Sequence, residues 1–361
     1  MDQLQEARKI IDRVDREIAQ LFVTRMKASE MVASHKKENG LPIDDLGREA
    51  QIIEQVSQNV PELYRPYYVD MQQNMMRVSK KYQKLLMHDM SVAYSGVEGA
   101  FAHLATRRIF PEAVPVAFPD FESAYNAVVE GVCNCAVLPI ENSYAGDVSQ
   151  VMDLAYRGQL SVSGVYELPL SQSLLALPGT DITDIREVQS HPQALSQCMP
   201  YLKEHGWILT QAVNTAVAAK NVAESGRRDL AVVASEEAAK LYGLRVLSSS
   251  INESKNNTTR FLVFSAAECK VNPTDNHFIL FFNVKNEPGS LGRAVSLIGQ
   301  YHFNLRNLKS FPTGQENWSY YFYTEGEGNL STPKGQLMME ELKSVCSRVK
   351  ILGSFPDVKT I

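Results

Sequence analysis

The chain has 361 residues, of which 44% are apolar and 21% charged, a composition that excludes disorder and a length that exceeds one compact core of ordinary size. A net charge of −5 excludes any overall attraction to nucleic acid or an anionic membrane, so a bound anion has to be met by local cations. Five scattered cysteines (Cys133, Cys135, Cys198, Cys269, Cys346) argue against a disulfide framework. No second pair or histidine cluster completes the Cys133-x-Cys135 pair, so neither metal nor other cofactor is expected. Residues 1–9 mix acids and bases, and no uncharged stretch reaches the length of a membrane span, which predicts a cytoplasmic protein.

Leu4, Ala7, Ile11, Val14, Ile18 and Leu21 recur at spacings of three and four and continue through Ala28 and Val32, with no breaker before Gly40 and Pro42. The pattern predicts one helix over 4–37, roughly 50 Å long at about 1.5 Å per residue. A small globule cannot cover that length, so a partner chain is implied. A second helix is expected from near Asp45 to before Pro61 and a third over 67–87, making 1–88 an all-helical domain. Arg25 falls in the apolar register, and Lys36 returns to within about 20° of the same face at about 100° per residue. Ser79 and Gln83 share the Tyr68, Gln72, Met76 and Leu86 face of the third helix. Two readings of the cations stand. They snorkel to solvent, or they join these polar groups, costly to bury unsatisfied, around an anionic ligand. Arg8 lies about 26 Å along the helix from Arg25 and would enter such a pocket only from an antiparallel second subunit.

Residues 4–86 resemble the all-helical chorismate mutases. The resemblance implies that Arg8 is donated across a homodimer, that Arg25 and Lys36 are first-helix cations, and that Ser79 and Gln83 are the third-helix pair. The segment Asp45-Leu46-Gly47-Arg48-Glu49 matches the family's Asp-x-x-Arg-Glu turn, which brings Asp45, Arg48 and Glu49 into the site. Rearranging chorismate to prephenate is unimolecular, so positioning and electrostatics carry the catalysis. Arginines would grip the two carboxylates, Lys36 and Gln83 would donate to the ether oxygen as its bond to carbon breaks, and Glu49 would hold the ring hydroxyl.

After Asp89, β-type runs at 91–95, 135–140, 160–166, 230–234 and 260–264 alternate with helical segments, which predicts a two-lobed α/β domain over 91–268. Asn257-Thr258-Thr259-Arg260-Phe261 alone reads as a strand cap beside a surface cation. Pro139-Ile140-Glu141-Asn142-Ser143 and Ser190-His191-Pro192-Gln193, however, also end strands in polar turns, where α/β domains place ligands. These segments resemble the prephenate dehydratases, with Gln197 and Thr215 also in register. The resemblance implies a cleft between the lobes, with Thr259, Arg260 and Phe261 as catalytic residues. Thr259 would assist departure of the ring hydroxyl as carbon dioxide leaves, acting through a positioned hydrogen bond. Asn142, Ser143, Ser190, His191, Gln193, Gln197 and Thr215 would bind substrate. Val97 and Ala102 stand where the family commonly has Pro and Ser, and His103 and His191 read as structural hydrogen-bonding groups.

Beyond a polar linker at 272–276 the expected order is strand 277–284, helix 290–301, strands 304–310 and 318–324, helix 333–347 and strand 349–354, a ferredoxin-like βαββαβ module over 275–361. With Glu287-Pro288-Gly289-Ser290-Leu291 it resembles an ACT domain, the phenylalanine-sensing module of such enzymes. That implies effector contacts at Gly289, Ser290, Leu291 and Ser310, although Lys309-Ser310-Phe311-Pro312 reverses a charge of the family's Glu-Ser-Arg-Pro motif. The whole chain thus resembles the bifunctional chorismate mutase/prephenate dehydratases. The expected partners are chorismate, prephenate and a phenylalanine effector, with a homodimer formed through the helical domain, or a higher oligomer, and no nucleic acid or membrane. A non-catalytic sensor of an aromatic metabolite, or arogenate in place of prephenate, are the alternatives.

Overall fold

A computed structural model describes residues 3–39, 41, 46–87, 90–254, 256–313 and 319–361. The chain divides into two compact units, one of residues 1–91 with 130–133 and one of residues 92–129 with 134–361.

The first unit is helical: α1 (Gln3–Glu38), α2 (Leu46–Ser57) and α3 (Arg65–Met87). Free of Gly and Pro, α1 runs 36 residues unbroken. It packs on α3 near its C-terminal end, where Ser29 and Ala33 are buried. Along the rest of α1 the predicted apolar stripe faces outward, with Ile11 56% and Leu21 69% exposed.

The second unit begins with β1 (Ser91–Ser95), α4 (Phe101–Ile109), β2 (Val114–Phe118), α5 (Phe121–Val129), β3 (Cys135–Asn142), β4 (Gly146–Asp147), α6 (Ser149–Arg157) and β5 (Ser161–Pro169). The chain then builds a second lobe from β6 (Ser173–Ala176), β7 (Glu187–Ser190), α7 (Pro192–Gln197), α8 (Met199–His205), β8 (Ile208–Gln211), α9 (Thr215–Ser225), β9 (Leu230–Ala234), α10 (Glu236–Tyr242) and β10 (Arg245–Ser248), and returns through β11 (Thr258–Ser265). The last module comprises β12 (His277–Asn283), α11 (Ser290–Gln300), β13 (Asn304–Pro312), β14 (Tyr320–Glu327), α12 (Pro333–Val345), β15 (Arg348–Phe355) and the short β16 (Lys359–Thr360). Its βαββαβ order is the expected one.

Fully apolar strands such as β9 are buried on both faces, as a strand between two helical layers must be. The second lobe's sheet runs β10-β6-β9-β7-β8, while the larger sheet runs β13-β14-β12-β15-β5-β11-β3-β1-β2, with β4 on β3 and β16 on β5. The C-terminal module therefore extends the sheet of the first lobe. The junction is the parallel pairing of Gly353 with Val162, where a side chain at 353 would collide with the Val162 carbonyl. The β16 strand, lying on β5 with Lys359 opposite Tyr166, strengthens a seam that residue patterns around 272–276 do not reveal.

Candidate active sites

In the helical unit, Arg25 turns toward α3. Its Nη1 donates to the Ser79 hydroxyl and, at 3.4 Å, to the Met75 carbonyl, to which Ser79 Oγ also donates at 2.9 Å. Burial pulls the Arg25 pKa down, so a nearby anion would be doubly favourable. One turn beyond Ser79, Gln83 is buried, and its Oε1 meets no hydrogen-bond partner among the described residues. Lys36 is half-buried, whereas Arg8 and Arg48 are exposed. Asp45 lies outside the described residues, as does the side chain of Glu49. Arg25, Ser79 and Gln83 thus sit together within one chain, and Arg8 stays apart from them.

The second site is a cleft of about 340 Å³ between the two α/β lobes. Strand pairing explains its composition. Antiparallel β3 and β11 set Thr259 opposite Asn142 and Arg260 opposite Glu141, and side chains alternate across a strand. Thr259, Phe261 and Asn142 line the cleft. Arg260 points to the opposite face, where Nη2 lies 2.9 Å from Glu325 Oε2 and Nε 3.2 Å from Glu167 Oε1. Its expected place beside the substrate is corrected by the two-residue period of the strand. The register shifts between Arg260 and Phe261, placing Pro139 opposite Phe261; a bulge is where a central strand tolerates a residue that cannot donate.

An amide chain converges on Thr259. Asn142 Oδ1 accepts from the Tyr144 and Ala145 amides at 3.0 and 2.9 Å, which fixes its orientation. Its Nδ2 donates to Thr259 Oγ1 and Asn257 Oδ1, both at 2.9 Å, and Asn257 in turn donates to Gln197 Oε1 at 3.1 Å. Thr259, only 7% exposed, therefore has its oxygen occupied as an acceptor while its own proton meets no acceptor among the described residues.

Across the cleft, His191 caps α7 by accepting the Gln193 amide at Nδ1, 3.2 Å, which leaves Nε2 as a donor. Gln193, Gln197 and Thr215, at the start of α9, also line the cleft. Ser143 and Ser190 do not. Ser143 accepts the Thr258 amide and donates to the Asn256 carbonyl, each at 2.9 Å, clamping the entry to β11. Fully buried Ser190 donates to the Val233 carbonyl at 2.6 Å, tying β7 to β9. These two expected substrate contacts are corrected to backbone clamps, because short hydroxyls at strand ends find backbone partners first.

Sequence reasoning missed Asn257, Asp147 and Gln172. Asn257 directly precedes Thr258-Thr259-Arg260-Phe261, so its place at the strand entry marks it as an amide that can reach Thr259. Gln172 sits in the short polar run Ser171-Gln172-Ser173 that leads into β6, with no spacing to mark it as a site residue. It lines the cleft at 2% exposure, and its Oε1 has no partner among the described residues.

In the C-terminal module Gly289 holds φ +80° at the N-cap of α11, with no side-chain cap, a conformation that favours glycine. Ser290 is buried and accepts from Arg293 Nη2 at 2.9 Å. Leu291 packs on the module's core, and Ser310 is exposed on β13. Among the described residues no helix is long and apolar enough to cross a membrane, and no three His, Cys, Asp or Glu side chains are grouped to hold a metal ion.

Three family models match the chain in order: chorismate mutase type II over residues 7–84, prephenate dehydratase over 92–269 and ACT domain over 278–336. A bifunctional chorismate mutase/prephenate dehydratase of Aquifex aeolicus (strain VF5) is 30% identical over 362 residues, covering 99% of this chain and 98% of that protein. Arogenate dehydratase/prephenate dehydratase 2, chloroplastic, of Arabidopsis thaliana is 34% identical over 276 residues, 73% of this chain and 72% of that protein. Among solved structures, GqqA, described as a novel type of quorum quenching acylase, matches with a TM-score of 0.69 at 30% identity, covering 74% of this chain and 97% of that one. The prephenate dehydratase of Arthrobacter aurescens in complex with L-Phe gives 0.68 at 24% identity, covering 74% and 90%, a likeness of fold. With all three models matched in order and a relative of this kind aligned from end to end, the chain belongs to the bifunctional chorismate mutase/prephenate dehydratase family.

Proposed function

We propose that the helical unit rearranges chorismate to prephenate and that the cleft converts prephenate to phenylpyruvate, carbon dioxide and water, with phenylalanine acting through the ACT module. The observation that carries the reading is the hydrogen bond from Asn142 to Thr259 Oγ1 at 2.9 Å. It makes the threonine oxygen an acceptor toward the protein and leaves its proton for the substrate. As the ring carboxylate departs, its bonding electrons enter the ring, the ring carbon–oxygen bond breaks, and the hydroxyl leaves as water with the proton that Thr259 steers to it. Aromatisation supplies the driving force, so a weak acid held in place is sufficient.

Among the described residues lining the cleft none is a lysine or arginine, and Asp147 is the one carboxylate. The substrate carboxylates therefore fall to neutral donors: His191 Nε2, the Gln193, Gln197 and Thr215 side chains, and backbone amides at the start of α4, whose N-cap Ala100 has no side-chain cap. Lys309 already compensates the charge of Asp147 through Oδ1, which favours the keto acid prephenate over arogenate, whose ammonium gains more from an uncompensated carboxylate.

In the helical unit, Arg25 and Lys36 would hold the chorismate carboxylates and ether oxygen, Gln83 would turn its amide toward that oxygen, and Glu49, with Asp45 and Arg48 at the α2 entry, would face the ring hydroxyl. Arg8 completes the pocket from a second copy of the chain. The exposed Ile11, Val14, Ile18 and Leu21 stripe supports a homodimer through α1. Purified protein given chorismate should form prephenate and then phenylpyruvate, and should use prephenate faster than arogenate. Failure to make either product would refute the two-reaction reading, and faster turnover of arogenate would reverse the substrate assignment.

A further inference from the structure

The two strands that carry the cleft residues also carry charges on their far faces, and those charges are bound by the C-terminal module. Arg260 grips Glu325 of β14 with both Nη atoms at 2.9 Å. Glu325, its side chain 9% exposed, also accepts from the Tyr323 hydroxyl at 2.6 Å. On the neighbouring strand Glu141 precedes Asn142 and receives Lys309 Nζ of β13 at 2.7 Å, and the same Nζ bonds Asp147 of β4. Arg260 and Glu141 are direct cross-strand partners, as are Thr259 and Asn142.

We infer that Arg260 is a positioning residue: its two-pronged pair with Glu325, backed by Lys309 on Glu141, fixes the Thr259–Asn142 pair, so the ACT strands set the rate of dehydration without touching the substrate. Two properties of the pair suit this role. A bidentate guanidinium–carboxylate contact is directional, unlike a lone ammonium. Inside a seam of low exposure it is also poorly screened and stiff. Burial works against the Arg260 charge, yet Glu325, with Glu167, outweighs it and keeps the guanidinium pKa above its usual value. Lys309 likewise stays charged, because Asp147 and Glu141 outweigh its burial. A displacement of about 1 Å at a reacting group costs on the order of 100-fold in rate, so a link one residue from Thr259 has ample leverage.

The inference rests on the assignment of Thr259, and a double-mutant cycle in the full-length chain tests it. Glu325→Gln should lower dehydratase kcat by about tenfold with KM nearly unchanged, and Arg260→Gln should do the same. Arg260→Gln/Glu325→Gln should be no slower than the slower single variant, because both remove one link. The double variant removes both charges of the Arg260–Glu325 pair, leaving only the partly exposed Glu167 without its partner, and so guards against misfolding of the singles. Arg260→Lys, which keeps the charge without the second prong, should also be slow. Wild-type kcat in the folded double variant, multiplying losses, or a rise confined to KM after Arg260→Gln would each overturn the inference. A fully active Thr259→Ala chain would instead remove the catalytic reading beneath it.

Discussion

The helical unit presents its cations on helices that are half-covered or exposed and leaves an apolar face of α1 open, whereas the dehydratase cleft lies between two lobes of one chain and is lined by amides and hydroxyls. Both are read as holding a ring acid with two carboxylates. On the proposed reading the helical site works with formal charge and needs Arg8 of a second copy, because Arg8 lies too far along α1 to meet Arg25 in the same chain. The cleft is lined by hydrogen-bonding groups whose positions are set by strand register, all of them from one chain. A rearrangement with no proton transfer needs field and shape, while loss of a hydroxyl needs one donor in one place.

The largest effect should therefore come from the single donor. Thr259→Ala is expected to lower phenylpyruvate formation by about 100-fold or more and leave chorismate consumption at its normal rate in the same sample. Equal losses in both activities would erase the distinction between the two sites.

The next effect separates a site completed by a partner from one that is self-contained. Arg8→Ala and Lys36→Ala should each lower mutase kcat by more than about tenfold. Mixed in equal amounts and allowed to exchange subunits, the two should recover about a quarter of wild-type mutase activity, because half the dimers are mixed and each mixed dimer holds one intact site. No recovery, with exchange verified, would place Arg8 outside the partner's pocket. Dehydratase activity should stay constant throughout.

The same contrast explains what could be read from residue order. The α1 helix and the inward Arg25 follow from a helical period repeated over many turns, yet α1 buries Ser29 and Ala33 against α3, each one residue beyond the stripe positions Ala28 and Val32, which stay exposed. In the cleft the relevant period is two, over a few residues only. Thr259, Arg260 and Phe261 look like one unit along the sequence, and only the pairing of β11 with β3 separates Arg260 from its neighbours. Ser143 and Ser190 carry the same chemistry as cleft hydroxyls, yet nearby backbone groups claim them. The pairing of β15 and β16 with β5 joins residues far apart in the chain, which no local pattern encodes.

Gln172 offers a smaller and more pointed test of the self-contained site. Leaving a buried amide oxygen unpaired costs about 1–3 kcal/mol, so Gln172→Leu should raise thermal stability. If the amide meets the substrate, the same change should lower dehydratase kcat/KM by about tenfold, mostly through KM. Higher stability with unchanged kcat/KM would make Gln172 a packing defect and no part of the cleft's recognition.

The smallest expected effect concerns the loop before α4. The Gly99 amide donates to His103 Nδ1 at 3.1 Å, an arrangement that requires the neutral ring. Burial, helped by Arg107 and opposed by Glu98, lowers the His103 pKa below its ordinary 6.5. The unfolded chain therefore takes up this proton first as the solution is acidified. Stability from His103 is full above pH 6.5 and is lost as the pH falls from there through the lowered folded value. His103→Gln, whose side-chain oxygen can accept the same amide, should flatten that part of the stability curve, so the melting temperatures of variant and wild type converge from pH 7.5 toward pH 5.5. Parallel curves would mean that the ring titrates alike folded and unfolded, and that the loop carrying Ala100 and Ala102 to the cleft is held by something other than this bond.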